Sequence, residues 1–159
     1  MVTIRLAKSS DLPVLEQMMY ELHNEHHLAC PQHFKSAQAV MEEKRISDYL
    51  ESPEGLVFVA FGDHYCNYCI GFVSGHFADL VSSVSKPVLM GSIDEFYVFP
   101  SYRGQGIGTQ LLQRIEKEFE DYGVQQLFVE VWDFNQPAIK LYQKLGFGHH
   151  IHCLRKGIR

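Results

Sequence analysis

The string Arg103-Gly104-Gln105-Gly106-Ile107-Gly108 stands between an extended apolar run ending at Pro100 and a helical stripe of Ile107, Leu111, Leu112, Ile115 and Phe119. Glycines at such a junction let the main chain turn sharply and bring its amides close to a ligand. The first turn of the helix adds unpaired N–H groups and the positive end of its dipole, a combination that holds a phosphate. Two other phosphate loops are excluded by spacing. A dinucleotide fingerprint beginning at Gly104 needs a third glycine where Thr109 stands, and a Walker loop needs Lys followed by Ser or Thr where the chain has Thr109-Gln110.

Acids and a phenol flank this turn. Asp94 and Glu95 lie on the extended run before it, and Glu130 lies on the next one. Neighbours on a strand point to opposite faces unless a bulge intervenes, so plain alternation gives Asp94 the face of Phe96 and Val98. Further on, Asn135-Gln136-Pro137-Ala138 has the capping residue and early proline of a helix start, and Gly146 supplies its stop. Tyr142 falls two turns in, on the face of Ala138 and Leu145. Taken alone, it reads as a core tyrosine and the three acids as solvated or salt-bridged carboxylates.

The full string, Val98-x-Pro100-x-Tyr102-Arg103-x-x-Gly106-x-Gly108 followed by Asn135 to Phe147, resembles the GNAT superfamily of acetyl-CoA-dependent N-acetyltransferases. The likeness is close from about Ile93 to Phe147. It implies an α/β fold with a GNAT-like mixed, mostly antiparallel central sheet, flanked by helices and splayed at the acetyl-CoA site. It implies that the amides of Arg103, Gly104, Gln105, Gly106, Ile107 and Gly108, with Thr109 in the first helical turn, hold the pyrophosphate. Phe96 and Val98 would lend main-chain groups to the pantetheine arm, as a strand edge pairs with a peptide. Asn135 would contact the coenzyme, and Tyr142 would approach the thioester sulfur.

The chemistry suits these roles. A phenol with pKa near about 10 is protonated at neutral pH and can donate to a departing thiolate. An acceptor amine with pKa about 10.4 is neutral in about one molecule in a thousand near pH 7.4, a cost of about 4 kcal/mol that a nearby carboxylate reduces. Asp94, Glu95 and Glu130 are the candidates for proton acceptor; relatives acting on polyamines carry an acid pair at the first two positions, and some acting on protein N-termini carry a base at the third. A main-chain N–H near Val98 would stabilise the oxyanion, and no covalent intermediate is needed.

The rest of the chain has to position these groups. Val2–Leu6 reads as a strand, and Ser9-Ser10-Asp11 with Pro13 as the start of a helix to about His23. The segment from His23 to Gln38 breaks the periodicity and gathers His23, His26, His27 and His33, before a helix from about Ala39 to Leu50. Gly55–Phe61 and Cys69–Phe77 form a hairpin, and Val88–Phe99 is the strand before the glycine turn. A helix Gly106–Tyr122, a strand Gln126–Trp132, a helix Gln136–Leu145 and a strand His149–Arg155 complete one domain over residues 1–159. The short stretch after Phe147 leaves a sheet edge that a second copy could cover, so a homodimer is expected.

Composition narrows the rest. The 159 residues carry a formal net charge of −5, which argues against a nucleic-acid binder. The absence of a signal-like or membrane-spanning apolar run leads to the expectation of a cytoplasmic protein without membrane contact. Cys30, Cys66, Cys69 and Cys153 read as free thiols; the Cys66-x-x-Cys69 pair beside His64, with His76, is half of a zinc site at most, and no metal is expected. Alternatives to acetyl transfer are transfer of a longer acyl group and an acyl-CoA-binding sensor without turnover.

Overall fold

The sheet is built from runs of β-branched and aromatic residues. In a computed structural model, which describes residues 2–62 and 68–159, β1 (Thr3–Leu6), β2 (Gly55–Phe61), β3 (Cys69–Leu80) and β4 (Val88–Val98) pair antiparallel in that order. β5 (Gln126–Val129) then joins β4 in parallel, at the edge opposite β1. A parallel neighbour requires a crossover, which helix α4 (Ile107–Asp121) supplies. The remaining helices are α1 (Leu12–Ala29), α2 (Ala37–Glu43), α3 (Ser47–Glu51) and α5 (Gln136–Lys144).

Each face of the sheet has its own apolar cover. Leu111, Leu112, Ile115 and Phe119 of α4, with Tyr142 of α5, pack on Phe58, Ile70, Val73, Ile93 and Val98. Leu15, Met18 and Met19 of α1, with Ile46, pack on Val57, Val59, Phe72 and Tyr97. This is the mixed, mostly antiparallel sheet between helices that the sequence leads one to expect. No described helix is long and apolar enough to cross a membrane.

Four departures from the sequence expectation have physical causes. α1 continues past His23 to Ala29, because rings support its end: His26 lies 5.4 Å from Phe34 and 5.8 Å from Phe134, and His27 Nδ1 is 2.9 Å from the Phe34 carbonyl. The single helix expected over Ala39–Leu50 is two, the first capped by Ser36, whose Oγ accepts the Ala39 N–H at 3.2 Å, and the second beginning after buried Ile46. β5 ends at Val129, short of Trp132. The strand expected at His149–Arg155 does not form: residues 147–159 carry no regular secondary structure, and Ile151, Leu154 and Ile158 are exposed. An alternating pattern makes a strand only where a neighbour satisfies its backbone and a layer covers its apolar face.

A bulge in β4 matters most for the site. The register with β3 runs Val73↔Phe96, Ser74↔Glu95 and then Gly75↔Ile93, so Asp94 is the extra residue. Before it, Gly91 and Ile93 face α4; after it, Phe96 and Val98 do. Ser92, Asp94, Glu95 and Tyr97 all face the side covered by α1 and α3, as their partners Tyr49, His76 and Ser74 show.

Candidate active site

β4 and β5 part where the bulge begins. Their pairing covers Met90–Ile93 with Gln126–Val129, after which β4 continues to Val98 and leaves an open edge. The Phe99 N–H bonds to the Ile70 carbonyl at 2.9 Å, on the β3 side, so by strand alternation the main-chain groups of Val98 and Phe96 turn toward the opening. The Val98 carbonyl is taken by Arg103 Nε at 2.7 Å.

The glycine turn closes one end of this opening. Gly104 and Gly106 have φ of 78° and 80°, and an added Cβ at either would meet nothing within 4 Å, so backbone conformation rather than crowding demands glycine. Gly108 is the opposite case, since a Cβ there would lie 2.6 Å from the Phe96 ring. Gly106 precedes α4, no side chain among the described residues caps that end, and the first intrahelical donor is Gln110, to the Gly106 carbonyl at 3.1 Å. The N–H groups of Ile107, Gly108 and Thr109 therefore have no helix carbonyl to bond. The Arg103 guanidinium lies 2.7 Å from Glu25 and 5.1 Å from the centre of the Tyr97 ring, so its side chain fastens the turn to α1 and β4.

The bulge corrects the expectation that Asp94 shares the face of Phe96 and Val98. Asp94 and Glu95 stand together on the opposite face, in different environments. Asp94 is fully engaged: Ser92 Oγ donates to Oδ1 at 2.6 Å, Tyr49 hydroxyl to Oδ2 at 2.8 Å, and His76 Nδ1 lies 2.6 Å from Oδ2. Burial and the two carboxylates push the Tyr49 phenol far up, which keeps it a donor. Glu95 is 3% exposed. Its Oε2 accepts from Ser74 Oγ, whereas among the described residues no hydrogen bond of normal geometry reaches Oε1, against which the Lys44 ammonium lies as an ion contact. Glu130 follows the last residue of β5 and is exposed; by register it stands level with Asp94 across the opening.

α5 brings in the phenol. Asn135 caps it, its Oδ1 3.4 Å from the Ala138 N–H, leaving the side-chain amide nitrogen available. Tyr142 is 7% exposed between Phe96 and Phe147, with ring centres 6.4 and 5.6 Å away. Burial pushes its pKa up to about 12, and no hydrogen bond contributes to that shift.

The sequence did not single out the aromatic wall beside these groups. Phe34 packs edge-on against Trp132 at 4.7 Å and Phe134 at 5.8 Å, with His26 and His33 alongside, and Trp132 and Phe134 remain partly exposed. The signal was present in Trp132-Asp133-Phe134 directly before the capping Asn135, but its partner Phe34 lies in the histidine-rich segment, far away in sequence. His64 and Cys66 lie outside the described residues. His76, considered as a metal ligand, is engaged with Asp94, and among the described residues no three His, Cys, Asp or Glu converge on a metal position. Cys69 is buried, which pushes its thiol up to about 11, against ready oxidation or metal binding.

His23 gives this region a measurable acid sensitivity. Its Nε2 is buried without a partner among the described residues, and burial, then the Lys44 charge, lower its pKa to about 4. The unfolded chain takes that proton near about 6.5, so the stability from neutral His23 is present above that pH and is lost as pH falls through about 4. After allowance for its solvated part, the loss is roughly 1–2 kcal/mol. Urea midpoints at pH 7 and pH 4.5 should differ less in His23→Gln than in wild type.

Known proteins place this architecture. The family model described as Acetyltransferase (GNAT) family matches residues 17–147. An N-alpha-acetyltransferase of Sulfurisphaera tokodaii is 34% identical over 102 residues, 63% of this chain and 60% of that protein. A thialysine N-epsilon-acetyltransferase of Mus musculus is 39% identical over 54 residues, 34% of this chain and 32% of that protein. The chain thus covers less than two thirds of the length of either relative. The crystal structure of an acetyltransferase from Vibrio fischeri is 48% identical, with a TM-score of 0.67 over 82% of this chain and 96% of that one. With the uncapped glycine turn, the parted strands and the capped helix of Tyr142 in the family's order, the chain belongs to the GNAT acetyltransferase family.

Proposed function

We propose that this protein transfers an acetyl group from acetyl-CoA to a primary amine by direct attack, with Glu95 receiving the acceptor. The observation that carries this reading is the state of Glu95: a buried carboxylate whose Oε1 has no hydrogen bond of normal geometry among the described residues and already faces an alkylammonium. Asp94, with both oxygens bonded to neighbours, acts by holding Tyr49 and His76 in place, and exposed Glu130 stands at the rim.

The turn from Gly104 to Gly108, with Thr109, takes the pyrophosphate on main-chain amides, the Arg103 N–H being held instead by the Pro100 carbonyl at 3.2 Å; this is how a chain of net charge −5 can hold an anion locally. The open edge at Phe96 and Val98 receives the pantetheine amides, and the free amide of Asn135 bonds the same arm. Glu95 takes a proton from the acceptor ammonium, the amine attacks the thioester carbonyl, and Tyr142 gives its proton to the departing thiolate. The activities for which the relatives are named, thialysine N-epsilon-acetylation and N-alpha-acetylation, support an amine acceptor.

The test is thiol release from acetyl-CoA across polyamines, aminoglycosides, amino acids and short peptides. Turnover confined to one class of cationic amine fits the reading. Tight acetyl-CoA binding without turnover on any amine would point to a binding module instead. Gly106→Ala tests the turn: a left-handed alanine costs about 1–2 kcal/mol, which the free turn can relieve by relaxing and the bound turn cannot, so acetyl-CoA affinity should fall by about five- to thirtyfold by calorimetry.

A further inference from the structure

The ion pair between Lys44 and Glu95 differs from the other lysine pairs of the described residues. Lys35 with Glu43 and Lys117 with Asp121 have both partners exposed. In the Lys44 pair the carboxylate side chain is 2% exposed while the lysine is 45% exposed, so a half-solvated side chain reaches down onto a buried acid. Lys44 is the C-cap of α2, in extended backbone at φ −119° and ψ 119°, and it starts the link to α3. Among the described residues no hydrogen bond of normal geometry reaches Glu95 Oε1, and His23 Nε2, close enough to feel the Lys44 charge, is a second buried atom without a partner. A buried pair contributes to stability only where further hydrogen bonds satisfy both ions. This pair has the arrangement of an acceptor ammonium on its receiving carboxylate.

We infer that Lys44 Nζ is itself an acetyl acceptor, a self-acetylation site of this protein; the inference rests on Glu95 being the acceptor carboxylate. Glu95 takes one proton from the Lys44 ammonium, and the free amine attacks the thioester carbonyl of acetyl-CoA. The C–N bond forms, the C–S bond breaks, and the thiolate takes the Tyr142 proton. The nitrogen loses its second proton, which restores the tyrosine, and Glu95 returns the first to solvent. The sum is one lysine ammonium and one acetyl-CoA giving one Nε-acetyl-lysine, one coenzyme A thiol and one proton. The product has no charge at position 44, which releases Glu95 to a free amine.

The experiment incubates the full chain with acetyl-CoA and no added amine, follows intact mass, and maps the product by peptide mass spectrometry. The expected result is a single acetyl group on Lys44, gained at a rate independent of protein concentration and about tenfold or more faster than at any other lysine. It should be lost in Lys44→Arg, retained in Lys117→Arg, and slowed in Tyr142→Phe. Acetylation spread over lysines at the rates seen with heat-denatured protein, or one site elsewhere, overturns the inference. So does an unmodified Lys44 in protein that turns over a free amine, an outcome that leaves the proposed function intact. No adduct and no thiol release with any amine overturns both.

Discussion

In Tyr142→Phe, kcat for acetyl transfer is expected to fall by about a hundred- to a thousandfold, while acetyl-CoA affinity changes by less than about threefold. The ring supplies packing against Phe96 and Phe147, and phenylalanine keeps it. Only the hydroxyl goes, and with it, on the proposed mechanism, the proton for the leaving thiolate. Because burial pushes the phenol up to about 12, it remains a donor through the working pH range. The same shift fixes a sign in stability. The unfolded tyrosine ionises near about 10, so the stabilisation from the buried neutral phenol is whole below that pH and is lost as pH rises through about 12. Steady-state kinetics with calorimetry on the same variant separate the two roles; an unchanged kcat would leave Tyr142 a packing residue.

Glu95→Gln should lower kcat/KM for a cationic amine by about a hundredfold or more, with partial recovery at high pH, where more of the amine arrives neutral. The amide keeps the size and can still bond Ser74, so the fold should hold. Lys44, being half-solvated, can turn to water, which limits the stability cost to about 1 kcal/mol. Asp94→Asn is the comparison. Its effect should stay within about tenfold, because its carboxylate positions Tyr49 and His76 and does not receive the amine. Pre-steady-state and pH-rate measurements on both variants check the assignment, and a dead Asp94→Asn beside an active Glu95→Gln would exchange their roles.

What could be read from the sequence was local. The glycines at 104 and 106, the Asn135 cap with Pro137, and the Gly146 stop each answer a need of their own few residues, and the structure has all of them. What could not be read depends on partners. The bulge at Asp94 is defined by the pairing with β3, where consecutive Ser74 and Gly75 face Glu95 and Ile93, so the face taken by Asp94 could not be read from β4 alone. Lys44 meets Glu95 only when the α2–α3 link folds over the sheet. The extension of α1 rests on Phe34 and Phe134 rather than on its own apolar stripe. The tail after Phe147 failed in the other direction: its alternation was correct for a strand, but the fold offers nothing for Ile151 or Leu154 to pack against.

The one-residue insertion at Asp94 works as a half-period phase shift along β4. Odd-numbered residues look toward α4 before it and toward α1 after it, so the strand is two independent rulers joined end to end. Straightening the bulge with every residue kept would put Glu95 against the α4 layer and Phe96 among the polar groups, exchanging the chemistry of the two faces without altering composition. Conversely, substitutions that retune the acid face at positions 92, 94 and 95 leave the parity of Phe96 and Val98 untouched. On the proposed reading, acceptor choice can therefore drift while the side that meets the coenzyme stays fixed.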